Sequence, residues 1–446
     1  MKPPDPRRTI GFFTASAIVI ANIIGTGVFT SLGFQLQDIH SGFALLLLWI
    51  VGGIVALCGA LCYGELSAAL PRSGGEYHFL SAIYHPAVGF MAGWVSSTVG
   101  FAAPVALAAM AFGKYFQGVF NAGSPMLLSF AAVWIIALFH LRNLKLGSAF
   151  QNFSTVLKLL LIGAIIGAGI FHFANPELSF LPTRSDIAPI FATPFAVGLV
   201  YVMYSYSGWN ASAYIISEVR CPERNVPRSL LCGTLVVIAI YTALNAIFLL
   251  TTPAKELSGQ LEVALIAGKH IFGDNGGRIV GAIICVGLIS SISSMTWIGP
   301  RVTMAMGEDA TRLRFLARKK RDEIPANAIL LQLLIVNILL LTRSFELVVV
   351  YIQFSLLLCS LLTVVGVIVL RWNCPGLARP YKVWAYPLPP FIFAAITVWM
   401  MCFLLRSHPV ESFAGLFTML AGLLLYFVSG TKGQAADAIH AISSTR

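Results

Sequence analysis

The chain has 446 residues, of which 58% are hydrophobic and only 11% charged, with a mean hydropathy of +0.84. Such a composition excludes an ordinary soluble globular domain, which carries about twice that charge, and indicates a polytopic membrane protein. The net charge of +11 does not indicate nucleic acid, because no contiguous soluble stretch offers a surface for it. Lys and Arg instead gather in loops on one side of a membrane.

Twelve apolar runs are long enough to cross a bilayer as helices. They cover residues 10–34, 42–70, 85–120, 125–141, 150–173, 189–219, 229–250, 279–306, 326–341, 346–371, 387–405 and 412–429. Connections are short and the runs exceed the length of a barrel strand, so the fold class is an all-α integral membrane protein. The basic, Pro-rich residues 1–9 lead into the first run without a small-residue cleavage site. That run is expected to be retained and not removed as a signal.

With the N-terminus inside, 21 of the 29 Lys and Arg fall on the cytoplasmic side and 7 outside, with Lys158 left in a span. This bias predicts cytoplasmic N- and C-termini. The basic run Arg312–Arg321 is expected to be a solvated loop at the lipid surface. The eight cysteines sit in apolar runs or near cytoplasmic ends. None forms a zinc-type cluster with His, so neither a metal nor a disulfide is expected. The patterns Asn152-Phe-Ser and Asn210-Ala-Ser fall in or beside helices and are chance matches to a glycosylation signal.

The first run contains Ile23-Ile24-Gly25-Thr26-Gly27-Val28-Phe29. Two glycines flanking a Thr at mid-membrane depth disfavour helix. Two readings fit: a split helix whose freed backbone holds a charged solute, or a small-residue packing surface. The sixth run has the same design in Tyr204-Ser205-Tyr206-Ser207-Gly208-Trp209-Asn210. Interruptions at corresponding places in two halves favour an inverted-repeat transporter.

These motifs have a counterpart in a known family. The segments 23–29 (IIGTGVF), 63–77 (YGELSAALPRSGGEY), 206–210 (YSGWN), 218–227 (EVRCPERNVP) and 299–309 (GPRVTMAMGED) resemble the amino acid–polyamine–organocation (APC) superfamily. Within it the chain is similar to the L-type amino acid transporter group and its bacterial relatives. The resemblance implies one membrane transport domain, residues 1–446, with a LeuT-like five-plus-five inverted repeat and discontinuous helices 1 and 6. The repeats are 10–173 and 189–371, followed by accessory helices in 387–429. Eukaryotic members carry a Cys between helices 3 and 4 that links to a heavy subunit. Residues 114–125 hold none, so no disulfide-linked heavy subunit is expected. A bacterial carrier of the cytoplasmic (inner) membrane is expected instead.

A split helix offers N–H groups with positive character to a carboxylate and carbonyls to an ammonium. The carboxylate is assigned to the backbone of Gly25, Thr26 and Gly27. The resemblance places the ammonium on carbonyls of Ile23, Tyr204, Ser205 and Ser207. It also makes Tyr204 an aromatic gate, although an ordinary core aromatic would look the same. Trp209 and Asn210 brace the second break. Ser290 and Ser291 either line the side-chain pocket or pack helices. Burying Lys158 costs roughly 2.5–3.5 kcal/mol on insertion scales. The resemblance puts it beside the first break, where sodium-coupled relatives of the fold hold a cation. It stands in for sodium there, as a fixed charge or as a proton carrier. Glu65 and Glu218 are expected to pair with Arg72, Arg220 or Arg224 as an inner latch.

No acidic residue falls mid-membrane beside the breaks, which disfavours lysine, arginine or polyamine cargo. The expected activity is sodium-independent transport of small to medium neutral L-amino acids by alternating access, as an exchanger. A proton-coupled symporter and a cationic amino acid or polyamine carrier are the alternatives. An amino-acid sensor on the same scaffold is expected to carry a soluble output domain, and the sequence shows none. No enzyme constellation, phosphate loop or cofactor motif is present.

Overall fold

A computed structural model describes residues 8–142, 148–172, 178–318 and 325–430. Part of the basic run 312–321 and both terminal segments lie outside these residues. The described chain is helical, and extended pairing within it is limited to an isolated bridge between Ile10 and Val219. Its helices, in order, are α1 (Phe12–Ile23), α2 (Ser31–Asp38), α3 (Gly42–Ala69), α4 (Gly75–Ile83), α5 (Pro86–Val95), α6 (Ala102–Phe120), α7 (Pro125–Leu141), α8 (Ser148–Gly169) and α9 (Ile187–Ile190). There follow α10 (Thr193–Tyr206), α11 (Pro222–Thr251), α12 (Ala254–Leu257), α13 (Val263–Asp309), α14 (Ala326–Leu341), α15 (Phe345–Asn373), α16 (Leu388–Ser407) and α17 (Pro409–Ser429).

Eight helical stretches are long and apolar enough to cross a membrane, and three shorter apolar helices, α1, α7 and α14, accompany them. The expected first run is not one helix. It divides into α1 and α2, with the chain unwound at Ile24–Thr26 and a 3₁₀ turn at Gly27–Phe29. The sixth run likewise stops at Tyr206, passes Gly208 at φ +101° and continues only as 3₁₀ turns. The third run keeps its direction through a π-helical turn at Ser96–Gly100. The eighth starts earlier than expected, at Val263, and bends where Gly273 adopts φ +74°.

Local chemistry sets the ends. Ser41 and Ser344 accept the Ala44 and Leu347 N–H groups at the starts of α3 and α15, each satisfying a donor the helix leaves open. Proline opens α5, α7, α11, α16 and α17, where its missing N–H costs nothing.

The core forms where small residues let helices approach closely. Ala102, Ala103, Ala106 and Ala109 of α6 are wholly buried, and α6 packs along α13. The outer belt is apolar and bare: Leu127 and Ile135 of α7, Phe153 and Leu160 of α8, Leu334 of α14, and Phe413 and Phe417 of α17 are all more than half exposed. An apolar surface of that extent needs lipid around it.

Gly33 of α2 has no room for a side chain, since a Cβ would overlap the Gln260 carbonyl. Gly163 of α8 has nothing within 4 Å. Gly33→Ala is expected to abolish recovery of monodisperse protein in detergent. Gly163→Ala should raise the thermal midpoint slightly, by about 0.5–1 kcal/mol of helix propensity. Size-exclusion and thermal unfolding of the two variants check both.

Candidate functional site

The two helix interruptions touch. A Cβ at Gly27 would lie 2.5 Å from Ser205 Oγ, and one at Gly208 would lie 2.8 Å from the Asn22 carbonyl oxygen. Each glycine therefore admits the other break at backbone distance. Ser31 ties them further, with its hydroxyl 3.0 Å from that of Ser205 and 3.2 Å from the Tyr201 carbonyl.

The freed backbone of the first break is partly claimed by the protein. The Gly25 N–H turns back onto the Ile23 carbonyl at 2.7 Å, and the Tyr241 hydroxyl of α11 donates to the same oxygen at 2.7 Å. Lys158 of α8 donates to the Ile24 carbonyl at 3.2 Å. Its stem lies along Gly287 of α13, where any side chain would press on it. Among the described residues, the N–H groups of Thr26, Gly27 and Val28 meet no backbone acceptor. Of these, Thr26 and Gly27 line the cavity, and their N–H groups, at the start of a 3₁₀ turn that leads into α2, are the donors turned to solute space.

A cavity of about 420 Å³ contains this spot, a volume suited to a small solute. Ile23, Gly25, Thr26, Gly27, Lys158, Tyr204, Ser205, Ser207, Trp209, Asn210 and Ser291 all line it. The expected site residues thus come together from four separate parts of the chain. Ser290 turns away and donates to Gln151 of α8 at 2.7 Å. Trp209 packs edge-on against Tyr63 at 4.7 Å and against Phe393 at 6.4 Å. Asn210 lines the cavity together with Tyr214.

The cavity reaches the surface at one end. Beside Ile10 it reaches the exposed Glu218. At the other end Tyr204 stands against Phe345 at 6.2 Å, and Phe345 stacks on Phe34, which stacks on Tyr201, at 5.6 and 5.3 Å. None of Phe34, Tyr201 and Phe345 lines the cavity. They lie beyond Tyr204 as a closed plug.

The expected partners of Glu65 are not the ones it has. Glu65, 1% exposed, takes a two-pronged bond from Arg371 at 2.8 and 2.5 Å, has Arg379 at 3.5 Å, and accepts the Val383 N–H at 2.7 Å. Arg72, Arg220 and Arg224 are not involved. The α3 and α15 ends lie side by side, so the guanidinium already on that face wins. Glu218 makes no ion pair among the described residues. There the chain is joined by its backbone, with Ile10 N–H to the Glu218 carbonyl at 3.0 Å and Arg220 N–H to the Ile10 carbonyl at 2.8 Å.

Among the lining residues not singled out from the sequence are Gln353 and Glu76. Gln353 of α15 is 3% exposed, and its amide nitrogen has no partner. Glu76 of α4, also 3% exposed, lies on the cavity wall, although the sequence suggests no acidic residue near the breaks. Helical spacing along α15 could have found the first. Only the packing of α4 reveals the second.

The family model described as amino acid permease matches residues 10–428 of the chain. The chain is 27% identical to the human (Homo sapiens) b(0,+)-type amino acid transporter 1 over 436 residues, covering 96% of this chain and 89% of the relative. It is 28% identical to the mouse (Mus musculus) large neutral amino acids transporter small subunit 2, covering 95% and 81%. To the mouse Asc-type amino acid transporter 1 it is 26% identical, again covering 95% and 81%.

Glu65→Gln is expected to lower stability by about 3 kcal/mol, since removing one partner strands a buried guanidinium. Thermal unfolding in detergent reads this, and Glu218→Gln should leave the midpoint unchanged.

Proposed function

The chain belongs to the amino acid permease family and is a transporter, not an enzyme; from that premise we propose that it exchanges small to medium neutral L-amino acids by alternating access, without sodium. The observation that carries this reading is the contact between two unwound helices at the closed end of a cavity. Free N–H groups of Thr26 and Gly27, both on the cavity lining, suit a carboxylate. Carbonyls at the end of α10, at Ser205 and Ser207, suit an ammonium. Gly25, open on its cavity side, admits the backbone of the solute. Tyr204, which lines the cavity with Thr26, would cover the bound amino acid as a gate.

The arrangement of helices supports twelve crossings and the five-plus-five repeat. The eight long spans, the shorter α1, α7 and α14, and the interrupted α10 make up that number. The positive-charge bias favours a cytoplasmic position for the open mouth, with Ile10 and Glu218, and for both termini. This is the inward-open state, in the cytoplasmic membrane of a bacterium. No cysteine is available between α6 and α7 for a heavy subunit, which favours a stand-alone carrier although one relative's name includes the words small subunit.

Lys158 supports sodium independence. Its ammonium occupies the Ile24 carbonyl, the kind of oxygen a bound cation would use.

Purified protein in liposomes preloaded with unlabelled amino acid should take up labelled neutral amino acids, and replacing Na⁺ by choline should not change the rate. Uptake that collapses in choline removes the assignment of Lys158. Uptake from empty liposomes driven by a pH gradient would make the protein a proton symporter instead. In a panel of the twenty amino acids, preference for lysine or arginine would overturn the neutral class. Gly27→Val is expected to abolish binding, because its side chain would collide with Ser205. Tyr204→Ala should slow exchange while leaving the protein folded.

A further inference from the structure

Glu76 opens α4 and lines the cavity. Its Oε1 accepts the Tyr63 hydroxyl and, at 2.9 Å, the Ser360 hydroxyl. Both donors converge on one oxygen, and among the described residues Oε2 has no partner. The titratable groups facing it are Tyr63 of α3, Tyr214 beyond the second break and Cys359 of α15. None of them is a cation. Arg72 bears on His78, whose imidazole burial and that neighbour push down to about 4. Arg371 and Arg379 are taken by Glu65.

A buried carboxylate without a counter-charge is costly. Burial raises the pKa of Glu76, and the two hydroxyls pull it back without reversing the shift. Its place in the first turn of α4 favours the anion. The pieces make half of an ion pair: an oriented carboxylate with one oxygen unengaged, facing the cavity. The missing half is a cation small enough to travel through it. A primary ammonium meets that need, because it brings both charge and donors.

We propose that Glu76 recognises the α-ammonium group of an amino acid in transit between the helix breaks and the cytoplasm, as a second subsite of the inward-open cavity. This rests on the transport reading above. The subsite lies one aromatic layer from the second break, since Tyr63 bonds Glu76 with its hydroxyl and packs its ring on Trp209. An incoming cytosolic amino acid would meet Glu76 first and the helix dipoles next. Tyr63, Ser360 and α4 hold the carboxylate in place for it.

The test uses the full chain in liposomes of defined orientation. Its probe is whichever of the twenty amino acids the wild type takes up fastest. E76Q keeps the hydrogen-bond acceptor and removes the charge. It is expected to raise KM on the cytoplasmic side roughly tenfold, the worth of one charge-assisted bond, with a much smaller change outside. E76D should recover most of the loss. A second measurement needs no variant: wild-type cytoplasmic KM should rise as the pH on that side is lowered, because a proton competes with the ammonium. Unchanged KM in E76Q overturns the proposal, and so does an equal rise on both sides, which marks a purely structural pin. A flat wild-type pH profile also overturns it. Wild-type protein that moves none of the twenty would fail the transport reading itself, and the subsite with it.

Discussion

A helix interrupted inside a bilayer must find partners for every amide it releases, at several kcal/mol for each one left bare. That constraint organises this protein. The carbonyls of Ile23 and Ile24 are met by Tyr241 and Lys158, so α11 and α8 must stand beside α1. A Cβ at Gly233 of α11 would meet Val19 at 2.6 Å, which fixes how near α11 comes. The second break borrows from the first through Ser31 and Ser205. Neither interruption could exist without the other. What remains unpaired after these debts are met is a short row of N–H groups facing a cavity, and that remainder is what a solute can use.

The interruptions were legible because glycine is the residue a close backbone approach demands. Gly27 and Gly208 each sit where a side chain would strike the opposite break, and both are marked in the sequence by their position inside an apolar run. Lys158 was legible for the complementary reason: a charge inside a span has to be there for something. Other features depend on distant packing. Glu65 lies 306 residues from Arg371, and no local spacing points from one to the other. Nearby arginines in sequence are therefore poor guides to ion pairs in a helical bundle. Glu76 follows a turn-forming Ser-Gly-Gly and reads as a loop residue. Positive φ at Gly74 and Gly75 swings α4 under the cavity and takes the carboxylate inside.

The two ends of the cavity are shaped by different physics. At one end, ring stacks of Tyr201, Phe34 and Phe345 overlie Tyr204. Each aromatic pair contributes about 0.5–1.5 kcal/mol beyond its buried area, so the plug is held by several small terms that can be exchanged for others. At the other end the wall is open, and the chain near residue 10 is tied to residues 218–220 by two backbone bonds and by the Arg220 guanidinium on the Arg8 carbonyl at 3.2 Å. The α3–α15 clamp through Glu65 stands apart from both. Its two-pronged guanidinium contact is strongly directional, and it keeps the ends of these helices together. Small terms govern the moving parts and a strong one governs the frame. On the proposed reading of alternating access, two states of similar free energy call for that division.

An ion that fills a helix break must leave for the cycle to reset, and its leaving couples transport to the gradient of that ion. An ammonium on a side chain does not leave. On the proposed reading, Lys158 holds the Ile24 carbonyl throughout, its stem confined by Gly287, and the first break never depends on a dissolved cation. The only mobile charges are then those of the cargo. A carrier built this way has nothing but cargo to drive its return, and the return is easiest with a second zwitterion in the breaks to pair the exposed N–H groups. On the proposed reading, exchange thus rests on one lysine and the unpaired amides of Thr26 and Gly27.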